Sequence, residues 1–319
     1  MAADYQITKP PNYQIKSVSF LKVCIILSTH SINMKPFFPL ILLSIFGFSA
    51  TAQRWHVTTF LGMANYQGDL QDKRFTFNQA KFAIGGGLSY ELTEKLYLRG
   101  TASWGKVTAA DKLNARNIGR NLSFTSSILD GTIALEYYFK NLNEYSFSPY
   151  IFGGITAYRF IPTAKDSNGV KHNLKPLSTE GEGFYQNRRY YSLNQIAIPF
   201  GGGFKFVLTD NIHIGIELGM RKLFTDYLDD VSTTYVDQTL LMALRGPKAV
   251  ELAFRGGEIK SGATYPADGT QRGSPKNKDW YYFTGLTASF RIGGGGGSTG
   301  FGGGGHHSKK GVGCPTKVY

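Results

Sequence analysis

The chain reads as an all-β protein, an eight-stranded antiparallel up-and-down transmembrane β-barrel of the outer-membrane type. Three observations predict this. From Arg54 onward, eight apolar stretches alternate oily and polar residues with period two, as strands with two unlike faces must. Tight turns and long polar loops join them alternately, and their number is even, which is the pattern of a barrel crossing a bilayer. An export signal precedes them all.

That signal lies at residues 34–52. Met34-Lys35 is a short positive start, Pro36 to Phe48 is an unbroken apolar run, and Ser49-Ala50-Thr51-Ala52-Gln53 offers an A-x-A site. The run is shorter than the roughly 20 residues a spanning helix needs. The expected cut falls after Ala52, with Ala50 and Ala52 as the small residues and Gln53 as the new terminus. Residues 1–33 are polar and proline-containing, as in Lys9-Pro10-Pro11. They read as an upstream extension produced by an early start codon, with Met34 as the initiator.

The strands are expected, in order, over Trp55–Tyr66, Ala80–Leu92, Lys95–Val107, Asn121–Lys140, Ser148–Thr163, Tyr190–Leu208, Asn211–Tyr227 and Lys278–Ile292. In the last, Trp280, Tyr282, Thr284, Leu286, Ala288, Phe290 and Ile292 face one way, and Tyr281, Phe283, Gly285, Thr287, Ser289 and Arg291 the other. In the seventh, Ile212, Ile214, Ile216, Leu218 and Met220 alternate with His213, Gly215, Glu217, Gly219 and Arg221. Most stretches exceed the 9–11 residues that cross a bilayer at a tilt, so several should project beyond it on the loop side. The second, fourth and sixth connections are short, around Thr93-Glu94, Asn141 to Phe147 and Thr209-Asp210. With the N-terminus periplasmic, every short turn falls on the periplasmic side and every long loop outside. Aromatic residues gather near strand ends (Trp55, Tyr137 to Phe139, Tyr190-Tyr191, Trp280 to Tyr282), where headgroup-level girdles belong.

An internal echo pairs Gly85 to Glu94 with Gly201 to Asp210, each a glycine-rich strand running into a Leu-Thr-acid turn. A dinucleotide-binding loop would require a helix after the glycines, and none follows. Glycines in strands mark bends or close approaches instead. Residues 53–292 thus form the barrel, and 293–319 a glycine-rich basic tether on the periplasmic side, ending in His306-His307, Lys309-Lys310 and Cys314-Pro315.

Without residues 1–52, 31 Lys+Arg stand against 21 Asp+Glu, a net charge of +10. The basic residues are scattered over loops and tail, with no basic helix or RNA-binding signature. The expected partners are outer-membrane lipid, lipopolysaccharide and periplasmic proteins, not nucleic acid. Of the two cysteines, Cys24 lies before the cut, so Cys314 can form no intramolecular disulfide.

An eight-stranded barrel encloses only its own side chains. The charges expected inside are Glu91, Arg99, Glu136, Arg159, Lys205, Glu217, Arg221 and Arg291. They are near balance, and buried charges must be paired, so they read as a hydrogen-bonded plug; a proton or ion path is the alternative. A lipid A deacylase or palmitoyl transferase would need a nucleophilic serine with a histidine base and an orienting acid. Between the expected cut and the tail the histidines are His56, His172 and His213, and no serine motif stands beside His213. The run Asp226, Asp229, Asp230 and Asp237 lacks the EF-hand pattern and reads as a solvated loop. No cofactor or metal is expected.

Four segments carry a family resemblance. Asn65-Tyr66-Gln67-Gly68-Asp69-Leu70 follows the first strand, with Tyr66, Gly68, Asp69 and Leu70 forming a Y-x-G-D-L motif. Asn121-Leu122-Ser123-Phe124 opens the fourth strand, Asp226 to Asp237 follows the seventh, and Arg272-Gly273 leads to Lys278-Asp279-Trp280-Tyr281. In this order they resemble a Bacteroidota outer-membrane barrel family typified by PorG, a type IX secretion component. The resemblance covers Gln53 to Ile292 and leaves the tail unmatched. It implies a non-enzymatic barrel that anchors periplasmic secretion or gliding components. The contact surfaces would be the tail and the Asp229–Lys278 loop, in which Gln238 to Leu244 and Ala249 to Phe254 are apolar enough for short helices broken at Gly246-Pro247.

Overall fold

The computed structural model describes residues 54–292 except 72, 74, 75, 114–116, 186, 187, 260 and 261. The signal segment with Ala50, Ala52 and Gln53, the upstream stretch and the tail lie outside the described residues.

The strands are β1 (Trp55–Gln67), β2 (Lys81–Thr93), β3 (Leu96–Ala110), β4 (Ser123–Tyr138), β5 (Phe147–Lys165), β6 (Lys171–Asn173), β7 (Asn194–Thr209), β8 (Ile212–Leu223) and β9 (Trp280–Arg291). All but β6 form one closed antiparallel barrel. β1 pairs with both β2 and β9, and β4 pairs with β5 to shut the ring. β6 is the strand the alternation does not reveal: three residues folded back on the far end of β5. Between β5 and β7 the register is the same on both sides of a gap where Gly154 would meet Pro199. Proline has no N–H to give the ladder there.

The barrel is turned inside out relative to a water-soluble sheet. β4 exposes Leu129, Ile133 and Leu135 at 57, 66 and 48%, while Asp130, Thr132 and Glu136 on its other face are 2, 4 and 0% exposed. Ile155, Ile196, Ile216 and Leu286 continue the exposed apolar band around the ring. Such a surface would be costly in water and fits hydrocarbon. Among the described residues no helix is long and apolar enough to span a membrane, so any crossing is made by strands. Aromatic pairs mark the short-turn rim: Trp55 with Tyr90 at 4.9 Å, Tyr137 with Phe139 at 5.5 Å, and Phe147 with Phe206 at 6.3 Å.

The internal echo is structural as well. Both copies end in the same irregularity, a register shift at Glu91/Thr93 and at Val207/Thr209. The threonine hydroxyl then accepts from the turn backbone, Lys95 and Leu96 in one copy and Asn211 in the other. At Gly87 a Cβ would come within 2.0 Å of the Gly100 carbonyl oxygen, so the neighbouring strand is too close for a side chain.

The connection from β8 to β9 folds over the opposite end of the barrel and carries helices α1 (Gln238–Arg245) and α2 (Pro247–Ala253). Asp237 caps α1 by accepting from the Leu240 N–H. Leu241, Val250 and Ala253 pack with Val236 against Phe184, Tyr185 and Tyr265, which covers one face of the pair, while Leu240, Met242 and Leu244 of α1 stay exposed.

Candidate functional site: the plugged lumen and its capped outer mouth

The middle of the barrel holds a compact ion-pair network. Arg99 lies on an inward position of β3, Glu136 on β4 and Glu217 on β8. The guanidinium forks onto Glu217 at 2.5 and 3.2 Å and reaches Glu136 at 2.7 Å. The Tyr150 hydroxyl donates to Glu217 at 2.7 Å and that of Tyr138 to Glu136 at 3.0 Å. One layer outward, Arg221 faces Asp130 at 3.4 Å, and the Tyr281 hydroxyl donates to the same carboxylate at 2.9 Å. Lys205 donates to Ser289 at 3.0 Å. The cavity between Arg99, Lys205, Glu217 and Arg221 measures about 20 Å³, room for about one water.

Of the charges expected inside, Arg99, Glu136, Lys205, Glu217 and Arg221 meet in this plug. Glu91 is half-buried at the short-turn mouth, beside Tyr97. Arg291 is at the same mouth, with Asn143 at 3.2 Å and His56 at 3.5 Å. Arg159 is a correction. It is exposed on the outward face of β5, in phase with Ile151 and Ile155 and out of phase with buried Tyr158 and Phe160. Asp130 takes the inward place the sequence reading gave to Arg159; the signal was its phase, two residues ahead of Thr132 and six ahead of Glu136.

The histidines are dispersed. His56 and His213 face each other inside the short-turn end at 5.8 Å, and His172 on β6 meets Asp166 at 3.0 Å. Among the described residues none of the three hydrogen-bonds a serine hydroxyl.

At the long-loop end the four segments that carried the family resemblance converge. The Tyr66 hydroxyl sits 2.6 Å from Asp229 and 3.0 Å from Asp279. Gly68 is doubly hydrogen-bonded to Gln71, and a Cβ on it would fall 2.0 Å from both the Tyr66 hydroxyl and the Asp279 carboxylate. Asp69 accepts from the Ser274 N–H at 2.7 Å, and Leu70 is 1% exposed in the core. Tyr66 and Asp69 thus fasten the cap to the barrel, Gly68 leaves room for the Tyr66–Asp279 contact, and Leu70 packs in the core. From the second segment, Asn121 donates to the Arg255 carbonyl at 3.1 Å. Next to it Arg120 pairs with Asp111 at 2.7 Å and donates to the Arg272 carbonyl.

A further knot lies beneath the helices. Glu180 accepts from the N–H groups of Ser232 and Thr233 and from Arg272 at 3.0 Å. Asp230 accepts from Thr179 and Tyr191, both at 2.7 Å. Glu180 has no sequence signal of its own, since it pairs with Arg272 across 92 residues; Arg272 stood out only as part of the fourth resembling segment.

The aspartate run is therefore not a solvated loop, which corrects the sequence reading. Asp226, Asp229 and Asp230 are buried at 2, 1 and 0% exposure; only Asp237 is at the surface. The physical reason is that the segment folds inward across the mouth, where Asp229 and Asp230 accept from a backbone N–H group and from hydroxyls. Burial, followed by the charges of Asp229 and Asp69, pushes the Asp226 carboxyl up to about 9. Burial also raises Asp279 and Asp229 well above the usual carboxylate range. The geometry agrees. Tyr66 has one proton to give and two carboxyl oxygens to face, and a proton on either carboxyl relieves their mutual repulsion. Among the described residues no three His, Cys, Asp or Glu side chains converge as a metal site.

Comparison with known proteins adds a family. The profile of a domain of unknown function, DUF6089, matches residues 35–240, which take in the first seven barrel strands. No curated protein sequence matches the chain. Among solved structures it is similar to Neisserial surface protein A, at 9% identity over 75% of this chain and 97% of that one, with a TM-score of 0.38. OprG from Pseudomonas aeruginosa follows at 12% identity, 75% and 98% coverage and 0.36. The outer membrane enzyme PagL is matched at 14% identity, 74% and 99% coverage and 0.28. At such scores the fold rests on the strand pairing above.

Proposed function

Because the chain belongs to the DUF6089 family, whose function is unknown, we propose its role from the barrel itself. It is a non-enzymatic barrel of the bacterial outer membrane that works through its surfaces. The observation that carries this reading is the sealing of the lumen, by Arg99 with Glu136 and Glu217 in the middle and by the Tyr66–Asp229–Asp279 contact at the mouth. A barrel closed at both levels offers neither a conduit nor an open catalytic cleft. We further propose that it serves as an anchoring and interaction component of a type IX secretion or gliding apparatus, holding periplasmic proteins to the membrane. The four segments resembling the PorG family support that assignment. The periplasmic tail 293–319 and the Asp229–Lys278 loop are the surfaces it would use.

A second reading is favoured by the long-loop end. Its helices and loops form an ordered cap, as expected of a free-standing surface barrel that acts through its outer face.

One experiment separates the two. A tag placed within Gly293–Gly305 allows capture from outer membranes, alongside export assays in a deletion strain. Recovery of periplasmic ring or lipoprotein components, with loss of cargo export on deletion, is the expected result. Recovery of the barrel alone with export intact would leave the free-standing reading. Altered lipid A mass spectra in the deletion strain would overturn the non-enzymatic reading, and stable single-channel steps the sealed one.

A further inference from the structure

Outside the same mouth, the wall facing the membrane has two recesses stacked along one set of strands. Gln67, Trp280 and Lys222 form an outward-facing rung across β1, β9 and β8. The 271–278 segment overhangs that rung, held down by the Ser274 N–H to Asp69. Between overhang and rung lies a polar cavity of about 1050 Å³. Its walls carry Lys222, Lys276 and Lys278, all exposed. Among the described residues none of the three has a carboxylate within ion-pair distance. Lys222 lies 5.9 Å from the Trp280 ring, and Lys278 donates to the Pro275 carbonyl. The other two cations on the wall are already committed, Arg120 to Asp111 and Arg272 to Glu180. The single acid there, Asp69, is engaged by Ser274.

The second recess is apolar and measures about 660 Å³. Leu61, Ile84, Ile216 and Leu286 form its ridges, with small Thr59 and Ala288 between them. It lies mainly on β1, β2, β9 and β8, with Phe206 of β7 at its side, and the rung of Leu61, Leu286 and Ile216 is six residues from that of Gln67, Trp280 and Lys222. At the rise of a strand this is about 20 Å, the length of an extended acyl chain.

The geometry points to a binding site for a phosphate-bearing lipid of the outer leaflet, its phosphate held by Lys222, Lys276 and Lys278 and an acyl chain laid in the groove below. Charge complementarity sets the headgroup, since three unpaired ammonium groups face one cavity. The position of Trp280, an aromatic ring at the rim where the apolar band ends, sets the level. A soluble phosphate would use the upper recess alone, whereas a lipid uses both.

The inference rests on the membrane placement proposed above, and the test separates the two. The full chain is refolded into phosphatidylcholine nanodiscs containing bisphosphorylated lipid A or its dephosphorylated form, and lipid retained on the released protein is read by native mass spectrometry. Insertion itself is followed by heat-dependent gel migration. The expected result is preferential retention of the phosphorylated form, reduced at least about tenfold in the K222Q/K276Q/K278Q variant, as loss of three lysines near an anionic surface requires. Ala288→Phe, which fills the groove and spares the lysines, should also reduce it. Equal retention of the two forms, or an unchanged triple variant, would overturn the site while leaving the barrel in the membrane. Failure to insert at all would sink the membrane reading instead. Titration with inorganic phosphate that binds as tightly as the lipid would replace the lipid with a free anion and so overturn the inference.

Discussion

The middle of the barrel and its outer mouth are both buried and polar, yet they solve the problem of buried charge in opposite ways. In the middle, Arg99, Lys205 and Arg221 stand among Glu136, Glu217 and Asp130, and the two guanidiniums contact all three carboxylates. At the mouth, among the described residues, Asp226, Asp229 and Asp279 have no guanidinium or ammonium at bonding distance. Tyr66 and backbone N–H groups serve Asp229 and Asp279 instead, and Asp226 makes no hydrogen bond beyond a weak contact with Ser232. In the first arrangement every carboxylate has a guanidinium beside it. The second is stable only with protons in it. Charge pairing locks the spanning part, and proton occupancy holds the cap.

The largest effect should come from breaking the paired region. Arg99→Met leaves Glu136 and Glu217 buried without their cation and should cost about 3–5 kcal/mol, read as a fall in the urea midpoint of the barrel in detergent. Adding Glu136→Gln and Glu217→Gln to it should recover most of the loss, because the uncompensated charges are gone. If the triple variant were no better than the single one, the network would matter for shape and not for charge.

Next in size is the pH response of the cap. Asp226 titrates near 4 in an opened cap and at about 9 in the closed one, because burial opposes its charge. The closed cap therefore keeps a proton that the open cap gives up. Its closure is firmest below about pH 4, weakens as pH rises, and levels off above about pH 9. Between pH 6 and 8 one such proton is worth up to about 2–3 kcal/mol. Once the base-catalysed rise of the intrinsic rate is divided out, hydrogen-exchange protection across residues 225–279 should fall from pH 6 to 8 while that of the β3 and β4 amides holds. Asp226→Asn should flatten that dependence. A uniform response in both regions would erase the contrast between them.

A smaller effect is expected at the motif tyrosine. Tyr66→Phe removes the hydroxyl shared by Asp229 and Asp279, at a cost of about 1–3 kcal/mol. The loss should appear as protease cleavage within 225–279, with the thermal transition of the barrel little changed. Comparable loss in both would mean that cap and barrel unfold as one unit.

How much of this was legible follows from the range of each signal. Strand positions were, because period-two alternation is local and each strand repeats it many times. The echo at Gly85 and Gly201 was too, down to the Leu-Thr-acid turn, since the same bulge sets the same residues. The cap was visible as two short helices broken at Gly246-Pro247 and as four unrelated segments, but its contacts were not. Tyr66 meets Asp279 across 213 residues and Asp69 meets Ser274 across 205, and no periodicity reports such a contact. The aspartate run looked solvated because charge alone suggests water, whereas its burial is decided by where the loop lands.

Arg159 shows where even the local signal fails, and it yields the smallest expected effect. Within the bilayer an outward arginine would be excluded, so its charge suggested the lumen. β5 is 19 residues long, and Arg159 is the thirteenth from the short-turn end, past the 9–11 that cross the hydrocarbon. Beyond that height the outward face meets headgroups and water, and a long side chain can lie on the wall with its guanidinium in the polar layer. The rule that outward means apolar holds only for the part of a strand that is in lipid. Arg159→Gln should therefore change barrel stability by no more than about 0.5 kcal/mol, in the same denaturation assay in which Arg99→Met is severe. A large loss at Arg159 would mean that this part of β5 is inside the hydrocarbon after all, and the membrane boundary on that strand would have to move outward.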